Sequence, residues 1–167
     1  NVLTNGNVQQ YFTIEKQFTG TGAEYLLMED AAVSGLEVNI EQGALVTATA
    51  SFLGSNLTTG AGSSTTSAAI TAAGSNTVAS GVGSGVAIKL GAVGGTSVEL
   101  DNVQSCSFSI DNGLREQRRI GTSTLAGVGS GRFVVTGELV AYFEDDAEYA
   151  LFMSETAREL EIDIIAT

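Results

Sequence analysis

R-F-V-V-T-G-E-L-V-A-Y-F-E-D-D-A-E-Y-A-L-F-M-S-E spans residues 132–155, and the change of period inside it decides the fold class. Its first half alternates. Phe133, Val135, Leu139, Ala141 and Phe143 share one face, and Arg132, Val134, Thr136, Glu138 and Tyr142 the other, which predicts a strand with its apolar face toward a core. Asp145 and Asp146 stop the alternation; both cap helices well and suit the positive end of the helix dipole. From Ala147 the period becomes helical, predicting one helix from about 145 to 156. Its apolar residues, Tyr149 and Phe152 among them, cover more than the stripe of about 100° that packing on one sheet requires. The helix therefore reads as wedged between its own domain and a neighbour.

Working outward, the rest reads as strands and turns. Tyr11 to Phe18 and Leu36 to Ile40 alternate, and Leu45 to Leu53 continues the second as a hairpin across Gln42-Gly43. Glu24 to Glu29 (E-Y-L-L-M-E) suits a helical turn or a short strand equally. Val86 to Leu90, Val98 to Ile110 and Leu160 to Ile165 are further strands, and Asp111-Asn112-Gly113 is a strong turn. Residues 1–9 read as a flexible arm on a single domain covering 1–167. Residues 54–85 hold no charged side chain and consist almost wholly of Gly, Ser, Thr, Ala and Asn. Such a segment buries too little apolar surface to order itself, so it is expected to be an extended loop, either a plain linker or a surface for another subunit. G-V-G-S-G occurs at 81–85 and again at 127–131, each time before a strand. A phosphate-cradling loop lies between strand and helix, so both copies read as flexible turns.

Composition excludes several functions. The chain has 167 residues, 21 Gly and no Pro, and carries 7 basic against 19 acidic residues, a net charge of -12. That argues against holding nucleic acid by neutralising phosphates. Without His the usual general base is missing, and with one cysteine, Cys106, neither a disulfide within the chain nor a Cys/His metal site forms. No cofactor, metal or catalytic residue is expected, nor a membrane span. The first ten residues are polar and carry no signal-peptide pattern.

One combination is more specific. S-I-D-N-G-L-R-E-Q-R-R-I-G from Ser109 and G-R-F-V-V-T-G-E-L-V-A-Y-F-E-D from Gly131 resemble the tail tube proteins of long-tailed bacteriophages. Y-F-T-I-E-K-Q-F from Tyr11 and L-E-V-N-I-E-Q-G-A-L-V-T-A-T-A-S-F-L-G from Leu36 resemble the earlier half of the same family, in the same order. The resemblance implies a β-sandwich or small barrel with a flanking helix. It implies hexameric rings of the chain, stacked head to tail into a hollow tube for DNA, with relatives in gene transfer agents and contractile systems. Tape-measure and terminator proteins are then partners, and the location is the virion tail, assembled in the host cytoplasm. A secreted fimbrial or adhesive β-sandwich subunit is the alternative.

In a tube the strand faces with regular polar residues become candidates for the lumen: Glu37, Asn39, Glu41, Thr47, Thr49 and Glu138. The competing reading is that they keep the outer surface soluble. Arg115, Arg118 and Arg119 hold three of the seven basic charges and are candidates for a subunit interface, with Asp145, Asp146, Glu148, Tyr149 and Phe152. Solvated surface arginines are the alternative.

Overall fold

The computed structural model describes residues 9–19, 23–61, 74–75, 78–82, 85–143, 146, 149–150 and 153–164. The chain is mainly β, its sheets are open rather than closed into a barrel, and its class is sandwich-like. Among the described residues eleven strands follow in order: β1 Phe12–Thr19, β2 Ala23–Glu41, β3 Thr47–Leu53, β4 Asn56–Ala61, β5 Val86–Ala92, β6 Ser97–Glu99, β7 Val103–Asp111, β8 Arg115–Gln117, β9 Gly127–Gly129, β10 Val134–Ala141 and β11 Arg158–Ile164. One sheet runs β1-β2-β7-β10, with β3 and β4 also on β2; a second is β11-β5-β6, and β8 pairs with β9. Contacts divide the chain into two compact units.

The first unit comprises Asn1–Leu36, Thr49–Ala72 and Ile110–Val135. Here E-Y-L-L-M-E proves to be strand: Tyr25 to Met28 pair with Gln17 to Ile14 of β1 and with Gly60 to Leu57 of β4. The register slips between Phe12 and Ile14, and Asp30 in the bulge takes φ +49°. Ser55 Oγ donates to Asp30 Oδ2 at 3.0 Å, which ties the β3–β4 turn to that bulge. The stretch read as a loop from Gly54 thus begins with a strand, because Asn56 to Ala61 find backbone partners on β2 despite their small side chains. Phe12 and Phe52 meet edge to face at 6.4 Å. The Asp111-Asn112-Gly113 turn forms as expected: Gly113 N–H bonds Asp111 Oδ1 at 2.7 Å, and Asn112 Nδ2 donates to the Val33 carbonyl at 2.7 Å. Ala31, Ala32 and Val128 are buried.

The second unit comprises Glu37–Ala48, Ala73–Ser109 and Thr136–Thr167. Val38, Ile40, Ile88 and Cys106 are its buried side chains, each of the aliphatic ones worth about 2 kcal/mol of burial. Along β2 the buried Val38 and Ile40 alternate with the exposed Glu37, Asn39 and Glu41, which is the predicted period. β11 pairs with β5 along its whole length, setting Ile162 opposite Ile88 and Glu161 opposite Lys89. Lys89 Nζ reaches Asp163 Oδ2 at 2.5 Å and Glu161 Oε1 at 3.4 Å, and the bond to Asp163 is the main cause of its raised pKa. A raised lysine pKa contributes stability that is fully present below 10.5 and lost as pH climbs past the folded value. Lys89→Glu is expected to melt below Lys89→Met, since it sets three carboxylates together. Wild type should lose its advantage over Lys89→Met well above 10.5. Melts of the three proteins across that range check both points, and equal melting of the two variants at neutral pH would refute the ion triad.

Two further expectations change. The single strand Val98 to Ile110 is two, β6 and β7, and the apolar side chains around β10 are not core. Phe133, Val134, Val135, Val140, Tyr142 and Phe143 are exposed, and Leu139 is half-buried. The reason is position: β10 ends its sheet, with β7 on one side. Of the expected helix, Tyr149, Ala150 and Met153 are helical, and Ala150 N–H bonds the Asp146 carbonyl at 2.8 Å. Residues 144, 145, 147, 148, 151 and 152 lie outside the described ones, as do 1–8 of the arm and most of 62–84.

Candidate functional surface

Three strands distant in sequence build one polar face in the second unit. Glu37 comes from β2, Ser107, Phe108 and Ser109 from β7, and Thr136, Gly137 and Glu138 from β10; together they line a groove of about 270 Å³. Period-2 alternation accounts for it, because Cys106 and Val38 turn into the core and their neighbours turn out. A Cβ on Gly137 would come within 3.0 Å of the Ser107 carbonyl, so glycine permits the close approach of β10 to β7. None of the lining residues is basic. Asn39 Nδ2 donates to Glu37 Oε1 at 3.3 Å. Carboxylates repel phosphate, and hydroxyls donate to its oxygens without neutralising its charge. No group of His, Cys, Asp and Glu among the described residues is arranged to hold a metal.

The six lumen candidates divide. Glu37 and Glu138 share the groove, with Asn39 bonded to Glu37. Thr47 is exposed on β3 in the same unit, whereas Thr49 is exposed in the other. Glu41 lines a separate pocket of about 200 Å³ with Ile40, Val86, Ile88, Glu99 and Cys106. Ser107, Ser109 and Thr136 were missed as lining residues. Their signal was the serine alternation opposite Cys106, which says nothing of which strand lies beside it.

Arg115 sits on the β8–β9 ladder, paired with Gly129, and Arg118 and Arg119 follow the end of β8. Arg115 Nη2 donates to the Ser130 carbonyl at 3.5 Å, and Arg118 Nε to Glu116 Oε2 at 2.8 Å. Arg119 has no ion-pair partner among the described residues. Asp146 and Tyr149 are exposed; Asp145, Glu148 and Phe152 lie outside the described residues. No described helix is long and apolar enough to cross a membrane.

Comparison with known proteins is decisive on one point. The family model described as "Phage tail tube protein" matches residues 1–167. No curated protein matches the chain. The family match favours a tube over the fimbrial alternative. The chain belongs to the phage tail tube protein family, as a structural, self-assembling component of the virion tail.

Proposed function

We propose that this chain forms hexameric rings that stack head to tail into the hollow tube of a long-tailed phage and conduct DNA from virion to host. The observation that carries the proposal is the acidic, hydroxyl-rich face of Glu37, Asn39, Ser107, Ser109, Thr136 and Glu138 in a member of this family. Such a face lets a polyanion slide, because every Lys or Arg contact to phosphate would add salt-dependent attraction. Thr47 and Thr49 remain candidates for the wall, and the tube is capped and measured by terminator and tape-measure proteins after assembly in the host cytoplasm.

Exposed aromatic side chains support association of copies. Tyr11, Phe12, Phe18, Phe52, Phe133, Tyr142, Phe143 and Tyr149 are all exposed, and such side chains are enriched where subunits meet. Arg115, Arg118, Arg119, Asp146 and Tyr149 are proposed to lie between copies, with Asp145, Glu148 and Phe152 beside them. Negative-stain microscopy of the purified protein tests the reading: hollow tubes with six-fold end views are expected. Solid filaments, or monomers at every concentration, would refute it.

A further inference from the structure

We infer that the turn tip at Ile120 of one copy docks, as an apolar knob directly after two arginines, into the acid-lined pocket of Ile40, Ile88 and Glu99 of a second copy. This rests on the self-assembly argued above and names its contact. Ile120 is fully exposed, at 104%. The turn presenting it is well tied. Ala126 N–H bonds the Gln117 carbonyl at 2.7 Å, Thr122 Oγ1 donates to the Thr124 carbonyl at 3.2 Å, and Gly121 takes φ +90°. Arg118 and Arg119 precede Ile120, and Arg119 has no ion-pair partner among the described residues.

The pocket is the complement of that tip. It is lined by the buried Ile40, Ile88 and Cys106, by the exposed Glu41 and Glu99, and by Gln42, Gln104 and Ser105. No basic residue lines it. Its volume of about 200 Å³ exceeds several times the roughly 30 Å³ of a water, enough for one branched aliphatic side chain. Gly81 holds the rim in place: a Cβ there would sit 2.1 Å from the Glu41 carbonyl. Arg118 keeps its own Glu116, and the further acidic partners of the two arginines are then Glu41 and Glu99 rather than Asp145, Asp146 and Glu148, so Glu41 leaves the set proposed for the lumen. A knob and a hole on different surfaces make a heterologous contact, in which every copy gives one and receives one. Unless two copies close it reciprocally into a dimer, such a contact builds rings or open helical stacks.

The test measures the critical concentration for assembly by sedimentation, with circular dichroism confirming that each variant folds. Ile120→Asp is expected to raise it about tenfold or more, the effect of losing a buried anchor. Arg118→Glu with Arg119→Glu should do the same, and adding Glu41→Lys and Glu99→Lys should restore assembly. In a Cys106→Ser background, Ile120→Cys protein mixed with differently tagged Glu99→Cys protein should cross-link between the two forms. Wild-type tubes with an unchanged critical concentration for Ile120→Asp would overturn the docking and leave the tube standing. Wild-type protein that never assembles would overturn both. Pocket variants that spare tubes but stop virion completion would give the pocket to another tail protein and overturn the inference.

Discussion

Tubes built from Glu37→Lys, Glu138→Lys protein should still assemble and should hold DNA that wild-type tubes release. Each copy changes from two negative to two positive charges on the groove that Glu37 and Glu138 share. Duplex DNA carries about one charge per 1.7 Å, and every phosphate neutralised adds roughly -0.9 to the slope of log affinity against log salt. A ring repeats the substitution in every copy, so retention should grow by orders of magnitude at low salt and fade as salt rises. DNA release from purified virions and retention by isolated tubes measure this. Unchanged release at low salt, with tubes of normal form, would place both carboxylates on the outside.

A large effect on stability is expected at Gly131. A Cβ there would lie 2.1 Å from the Gly113 carbonyl oxygen. The approach is close from the other side too: Gly113 takes φ +57°, and a Cβ added there would meet the Arg132 carbonyl at 2.7 Å. The two backbone stretches hold each other at glycine distance. Gly131→Ala should therefore cost about 3 kcal/mol or more, lowering the melting temperature by about 6–12 °C. Gly94→Ala is the control. Its φ is +72° but nothing lies within 4 Å, so only backbone strain of about 1 kcal/mol is added. Equal denaturation midpoints for the two variants would show that the first unit relaxes around the new methyl.

Gly131 also shows what could be read in the chain and what could not. The second G-V-G-S-G looked like a flexible turn because glycine is permissive. In the fold, Gly127 to Gly129 form β9, and Gly131 is required by a partner far away in sequence. Alternation found most strands, since burial on one face imposes a period of two. It located Val38, Ile40 and Cys106 in the core and Glu37 and Asn39 outside it. It misread Phe133 and Phe143, because an apolar face shows only that something covers it, not that the same chain does. The groove was half legible. Glu37 and Glu138 were named as candidates, but their shared lining depends on β7 lying between β2 and β10, a matter of topology that local period does not encode.

The pairing of β11 with β5 has a consequence for biosynthesis. Arg158 to Ile164 lie against Ala92 to Val86, so the second unit waits for a segment translated long after its core strands. At about 5–20 residues per second, the nascent chain spends seconds with β5 uncovered on that edge. The pocket beside Val86 and Ile88 belongs to the same unfinished strand. A polypeptide still on the ribosome therefore keeps one edge of β5 without its strand partner until residues 158–164 have emerged and paired.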